Sequence, residues 1–384
     1  VKQWKVPFAD IDLDWHEIAA VGRVLRSRWL TMGAVTKKFE TAFKRYLGVK
    51  FAYAVASGTA ALDIANRVIG LKSGDEVICP SLSFVATANT IVHSGATPRF
   101  ADITSFDDWT IAVDDIEKRI TSKTRAIVVM HYGGYPCAMD EIMAIARSHK
   151  LAVIEDAAHA VGSDYRGRRC GTIGDIGCFS FFSNKNLATG EGGMIVTNRA
   201  DYAQKIVLFR SHGMTSLTWE RHEGARWSYD VLLPGYNYRI DELRSAIGLA
   251  QLKKLKQGNH NRTKMVRLYR RELEAEPGIA IPFSRYRGAP AYHLFPILLN
   301  QGIDRKKIIA GMHKRGIQTS VHYQPLHLFR YYREKFGGKP EMLPVAEEVG
   351  RRELTLPLYS ILTESKVNRV VEALRQVLRS TADG

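Results

Sequence analysis

Apolar positions along the first two hundred residues alternate between two periods, and that alternation predicts the fold class. Asp14 to Arg26 and Val35 to Tyr46 carry apolar side chains at helical spacing, separated by a turn at Trp29-Leu30-Thr31-Met32-Gly33. Short runs rich in Val and Ile then alternate with helical stretches. Helices are predicted at Thr59–Ile69, Ala86–Ser94, Val113–Ile120 and Asp140–His149. Strands are predicted at Glu76–Cys79, Thr97–Ala101, Ala126–Met130 and Leu151–Glu155, with two more at Gly177–Phe182 and Gly193–Thr197. Strands alternating with helices of this length imply an α/β fold: a mostly parallel sheet covered on both faces. From about Arg239 the texture changes. Leu243, Ala246, Leu249, Leu252 and Leu255 mark one long or broken helix to Tyr269. Beyond it a strand at His293–Leu299 and helices at Arg305–Lys314 and Ser365–Leu378 predict a smaller C-terminal α/β domain. We place the domain boundary at 1–250 and 251–384, and expect Ser380 to Gly384 to fray.

Composition narrows the class without choosing a function. At 384 residues the chain can bury a large core. Cys79, Cys137, Cys170 and Cys178 are scattered with no CxxC pair, so they read as reduced thiols of a cytoplasmic protein, with no metal site. No apolar run has transmembrane length, and Val1 to Lys5 lack the hydrophobic segment of a signal peptide. The net charge of +16 is spread along the chain, with no basic tract and no helix-turn-helix signal, so neither nucleic acid nor a membrane is an expected partner. A generally basic surface explains the charge, and attraction of anionic ligands is the more specific alternative.

Two segments carry chemistry. Ser180-Phe181-Phe182-Ser183-Asn184-Lys185 sets one lysine between a strand and the glycine turn Gly190-Glu191-Gly192-Gly193. Burial there lowers a lysine's pKa and frees the amine for Schiff-base chemistry. Leu151-Ala152-Val153-Ile154-Glu155-Asp156 is an apolar strand ending on a carboxylate that can pair with a pyridinium nitrogen. A lysine that forms an imine and such an aspartate are the two requirements of a pyridoxal phosphate site. Ala56-Ser57-Gly58-Thr59-Ala60 joins a strand to a helix and offers N–H groups to a phosphate, though a plain helix cap explains Ser57 to Thr59 equally well on its own. Phe84 follows another strand and could stack on a flat ring, or be a core phenylalanine. His159 follows Asp156 closely enough to touch such a ring, or to be structural.

Taken in order, these segments resemble the sugar aminotransferases of the DegT/DnrJ/EryC1/StrS family. The likeness continues through Gly74-Asp75-Glu76-Val77, Pro234-Gly235-Tyr236-Asn237-Tyr238-Arg239, His322-Tyr323-Gln324-Pro325-Leu326-His327 and Leu356-Pro357-Leu358. The resemblance implies the aspartate aminotransferase-like fold (fold type I), with pyridoxal 5'-phosphate as cofactor. It implies that Lys185 holds the cofactor as a Schiff base and shuttles protons, and that Asp156 keeps the pyridine nitrogen protonated. Phe84 would stack on the ring and His159 would lie near it. Gly58, Thr59 and Ser180 would hold the phosphate. Asn237 would reach the phosphate from a neighbouring subunit, making a homodimer with shared sites. Thr31, His322, Tyr323 and His327 would face the sugar nucleotide. Relatives with histidine at the Lys185 position are dehydratases, so the lysine favours transamination. The implied reaction passes an amino group from glutamate to a nucleotide-linked keto-deoxysugar. Val129 to Pro136 and Val231 to Tyr236 look closer to relatives aminating carbon 4 of UDP-sugars, while carbon 3 and dTDP- or GDP-sugars stay open. Another fold type I enzyme, a non-enzymatic regulator on this fold, and a dehydrogenase are the rival readings. The last lacks a GxGxxG after any strand.

Overall fold

The computed structural model describes residues 4–216 and 228–382, with the side chain of Ala382 left out. Helices α1 (Trp15–Ser27) and α2 (Ala34–Leu47) precede strand β1 (Phe51–Val55). Then come α3 (Gly58–Val68), β2 (Glu76–Pro80), α4 (Val85–His93), β3 (Thr97–Ala101), α5 (Val113–Arg119), β4 (Thr124–Met130), α6 (Met139–His149) and β5 (Ala152–Asp156). A small ribbon, β6 (Asp164–Tyr165) and β7 (Arg168–Arg169), leads into β8 (Ile176–Ser180), β9 (Gly193–Thr197) and α7 (Ala200–Arg210). The large sheet has seven strands in the order β1-β9-β8-β5-β4-β2-β3. It is parallel from β8 through β3, and β9 runs antiparallel to both of its neighbours.

The period of two along these strands sorts their side chains to opposite faces. Val77 and Cys79, Val128 and Met130, Ile154, and Ile176 and Cys178 pack with Ile64 of α3, Ile91 of α4 and Ile206 of α7. Ile78, Ile127, Val129 and Val153 pack on the other side with Phe39 and Phe43 of α2, Ile116 of α5 and Ile142 of α6. Asp156 lies two residues beyond Ile154, so its carboxylate faces the α3 and α4 layer. Glu155 faces away, where His131 Nε2 meets it at 2.9 Å and the N–H groups of Gly171, Ile173 and Gly174 donate to it.

The expected long helix is one unbroken element, α8 (Glu242–Leu273), which packs along α1 and α2. Its first residue holds the chain's other end. Glu242 accepts hydrogen bonds from the N–H groups of Gly33, Val35 and Thr36 and from Thr36 Oγ1. It therefore caps α2, whose own N-cap, Gly33, has no side chain. After α8 come β10 (Ile279–Ala280), β11 (Phe295–Leu299), α9 (Arg305–Lys314), α10 (Arg330–Phe336), α11 (Pro344–Arg352), β12 (Glu353–Leu356) and α12 (Glu364–Ala382). β10, β11 and β12 form an antiparallel sheet whose apolar side chains pack with the distal half of α8, with α12 and with Val6. Leu326, Tyr332, Leu343, Ala346 and Val349 instead join the core of the large sheet. Asp102, just past β3, fixes that docking by accepting from the N–H groups of Val345 and Ala346 at the start of α11. The helix at the end of the chain is described through Ala382, and the last two residues of the segment expected to fray, 383–384, lie outside the described residues.

Candidate active site

In an open α/β sheet, ligands bind beyond the carboxyl ends of the parallel strands. A cavity of about 370 Å³ opens there, at the ends of β4, β5 and β8. Gly58, Thr59, Phe84, Asp156, His159, Ser180, Lys185, His322 and Tyr323 all line it. The structure thus brings nine of the predicted residues together around one space.

Local structure explains each placement. Ser57 caps α3, its Oγ accepting from Ala60 N–H at 3.1 Å. That leaves the N–H groups of Gly58 and Thr59 without an intrachain partner among the described residues, on a helix end with a positive dipole. Ser57 thus accounts for the cap, while its two successors line the cavity. Gly58 has to be glycine: a Cβ there would lie 2.8 Å from Ser180 Cβ. Phe84 is exposed at the N-cap of α4 with its ring at the cavity wall, which excludes the core reading. The loop after β8 folds back on itself, with Lys185 N–H donating to Phe182 C=O at 2.8 Å and Thr189 N–H to Phe181 C=O at 2.8 Å.

Lys185 and Asp156 set the electrostatics. Burial lowers the Lys185 ammonium to a pKa of about 8, although the Asp156 charge acts in the opposite sense. Burial likewise pushes the Asp156 carboxyl up. Thr87 Oγ1, donating to Oδ2 at 2.9 Å, and Ala158 N–H, donating to Oδ1 at 3.2 Å, pull it back down, as does the Lys185 charge.

Histidines and tyrosines form the opposite wall. His159 Nδ1 accepts from Gly133 N–H at 3.3 Å, which leaves Nε2 of the neutral ring to donate to Tyr323 Oη at 3.1 Å. Burial holds His159 well below the usual histidine range. Tyr323 keeps its own phenolic proton for the cavity, with burial raising its pKa. His322 is pushed down to about 3 by burial and by the Lys185 charge, and its Nδ1 lies 2.8 Å from Thr355 Oγ1.

Three predicted residues lie outside this cavity. Thr31 is exposed in the turn before α2, and Asn237 is exposed on a short bridge to Ser211. His327 corrects the expectation. It is fully buried, with Nδ1 2.7 Å from Ser81 Oγ and Nε2 3.1 Å from Glu347 Oε1, so no ring nitrogen is left for a ligand. Sequence reasoning also missed lining residues, among them Met130, Cys178, Asn184 and Glu191. It missed His293 as well, whose Nε2 stands 3.4 Å from Lys185 Nζ. The signal was present as a single polar side chain inside the apolar run Ala291-Tyr292-His293-Leu294-Phe295. Among the described residues no group of His, Cys, Asp and Glu is arranged to hold a metal ion, and no helix is long and apolar enough to cross a membrane.

Comparison with known proteins agrees with this geometry. Residues 12–375 match the DegT/DnrJ/EryC1/StrS aminotransferase family. The chain is 41% identical over 371 residues to the spore coat polysaccharide biosynthesis protein SpsC of Bacillus subtilis, covering 95% of each protein. Its fold superposes with a TM-score of 0.92 on Helicobacter pylori PseC, an aminotransferase involved in the biosynthesis of pseudoaminic acid. That pair is 33% identical and covers 99% of this chain and 100% of the other. The PMP form of Spr1654 from Streptococcus pneumoniae, described as a putative sugar aminotransferase, gives the same TM-score at 28% identity, covering 98% and 100%. The chain belongs to the DegT/DnrJ/EryC1/StrS family and is a pyridoxal phosphate-dependent sugar aminotransferase.

Proposed function

We propose that the enzyme moves an amino group from glutamate to a nucleotide-linked keto-deoxysugar, at carbon 4 of a UDP-sugar. The observation that carries the reading is the convergence of Lys185, Asp156 and the free end of α3 on one cavity. The residues present suit pyridoxal phosphate. Gly58 clears the approach to α3, the unpartnered N–H groups of Gly58 and Thr59 suit a phosphate, and the carboxylate of Asp156 lies buried at the strand end. Asn184 Oδ1 is also buried on the cavity wall without a hydrogen-bond partner among the described residues, a polar atom that a ligand could satisfy.

When bound, the cofactor supplies an aldehyde that takes up the amino group and a pyridine ring that withdraws electrons from the reacting carbon. Each chain residue then has a definite task. Asp156 would hold a proton on the ring nitrogen, with Thr87 and Ala158 orienting its carboxylate and opposing the upward push of burial. Gly58, Thr59 and Ser180 bind the phosphate. Phe84 and His159, both lining the cavity, would lie against the ring, and Tyr323 would offer it a hydroxyl oriented by His159. Lys185 Nζ takes and returns the proton at the substrate carbon, a task for which a pKa of about 8 is suited near neutral pH. Thr31, His322 and Tyr323 bind the sugar nucleotide. Asn237, exposed and outside its own chain's cavity, serves the phosphate of a second copy, so that the working unit is a homodimer. The same reading divides the chain near residue 250 into a large and a small domain. Four unpaired buried cysteines support a cytoplasmic location.

Carbon 4 rests on the likeness of Val129 to Pro136 and Val231 to Tyr236 to relatives with that regiochemistry. The test has two stages. Glutamate alone, added to cofactor-loaded protein, should release 2-oxoglutarate. A panel of UDP-, dTDP- and GDP-keto-sugars should then give a product whose amine position is read by NMR. Failure of glutamate to release 2-oxoglutarate in the first stage would overturn the donor assignment. A carbon 3 amine in the second would overturn the regiochemistry alone.

A further inference from the structure

His293 has no place in the chemistry just outlined, yet its imidazole meets Lys185, with Nε2 3.4 Å from Nζ. The direction of that contact follows from hydrogen-bond accounting. Asn186 Nδ2 donates to Asn259 Oδ1 at 2.9 Å and to Ala291 C=O at 2.8 Å. Asn259 is itself fixed, because its Nδ2 donates to Val161 C=O at 3.0 Å. With its amide nitrogen committed, Asn186 turns Oδ1 toward His293 Nδ1 at 3.1 Å, and an amide oxygen only accepts. His293 Nδ1 therefore carries the proton, and Nε2 of the neutral ring presents a bare lone pair.

The only role open to Lys185 in this contact, while charged, is donor. His293 is buried, and its backbone carbonyl accepts from Arg262 Nη1 at 3.4 Å. Burial keeps His293 neutral, and the titratable groups facing the ring, Lys185 first and then His159, Arg262 and His322, act in the same sense. Lys185 also faces Asp156. A row of three side chains, Asn259, Asn186 and His293, thus ends on the amine. Asn259 and His293 lie outside the segments that carry the sequence resemblance, and Asn186 sits beside the lysine itself.

We propose that His293 is a positioning residue for Lys185: its Nε2 lone pair, oriented by Asn186 and Asn259, accepts a hydrogen bond from Lys185 Nζ and aims the amine into the cavity. The proposal rests on Lys185 being the cofactor lysine, but its test does not. Full-length protein stripped of cofactor is acetylated competitively over a pH series, and the Lys185 peptide is quantified by mass spectrometry. His293→Leu keeps the site filled and dry but offers no acceptor. Losing a hydrogen bond to a charged group should lower the Lys185 midpoint by about one pH unit, roughly a tenfold loss of proton affinity. His293→Gln offers an amide oxygen at a similar reach and should restore most of that shift. An unchanged midpoint in folded His293→Leu, or an equal fall in His293→Gln, would reduce His293 to a packing residue. Should the leucine variant fail to fold, ring-labelled wild-type protein decides by nitrogen NMR. The proposal requires the proton on Nδ1 and a bare Nε2, and a proton on Nε2 overturns it. No donor or sugar enters these measurements, so their result is separable from that of the glutamate test.

Discussion

Replacing Gly58 by alanine inserts one methyl group where the first turn of α3 meets the end of β8. The new Cβ would stand 2.8 Å from Ser180 Cβ and 3.2 Å from Ser180 Cα, against about 3.5–4.0 Å for relaxed carbon contacts. About 1 Å must therefore open. Ser180 has little freedom to yield, since it pairs with Gly193 in the sheet, so the helix end moves instead. Overpacking of this kind costs about 1–3 kcal/mol of stability. Displacing the Gly58 and Thr59 N–H groups should also forfeit one charge-assisted hydrogen bond to phosphate, about 1.5–3 kcal/mol. That corresponds to a loss of roughly ten- to hundredfold in cofactor affinity. The assay is an absorption titration of stripped protein, first with pyridoxal phosphate and then with pyridoxal lacking the phosphate. Only the first should weaken. Ser180→Gly in the same chain removes the closest carbon and should recover part of the lost thermal stability. A folded Gly58→Ala protein that binds pyridoxal phosphate as tightly as the parent would refute the reasoning, because the cradle would then not depend on that close approach.

Three further outcomes are expected. Asp156→Asn removes the charge assigned to holding a proton on the ring nitrogen, and kcat should fall by about two to three orders of magnitude with little change in thermal unfolding. The first-order dependence of cofactor uptake on free Lys185 amine gives a pH test. With the pKa lowered to about 8, the initial uptake rate should rise about tenfold per pH unit below that value and level off above it. A midpoint near that of an ordinary lysine would contradict the burial argument. Glu242→Ala leaves the N–H groups of Gly33, Val35 and Thr36 uncapped, and should cost about 2–4 kcal/mol in denaturant unfolding through several lost charge-assisted bonds. Glu242→Gln, which keeps acceptors for some of them, should lose less.

Much of the large sheet was legible because its strands and helices obey simple periods. Val153 and Ile154 point to opposite faces as alternation demands, and the strand ends on Asp156 where the sequence places it. The helix at 200–210 was not visible, since its apolar residues Ile206-Val207-Leu208-Phe209 run consecutively and show no helical period. The pairing of β9 antiparallel to β1 and β8 was equally hidden, because strand direction depends on where the chain returns. The site shows the same division. Lys185, Asp156 and the Ser57–Thr59 turn stand at element ends, where local sequence says what is free to act. His327 and His322 stand five residues apart in one loop. Only the fold turns one ring onto the cavity and the other onto Ser81 and Glu347. His293 acquires its meaning from Asn186, 107 residues before it.

The cavity has one wall from the first half of the chain and another from its last third. His293 follows Lys185 by 108 residues, which at about 5–20 residues per second is roughly 5–20 seconds of ribosomal elongation. His322 and Tyr323 emerge later still. A large domain folding in that interval would present the Lys185 amine in a cleft that still lacks one wall. Vitamin captured then would be held by one side of the site only, until the remaining wall arrives to close it.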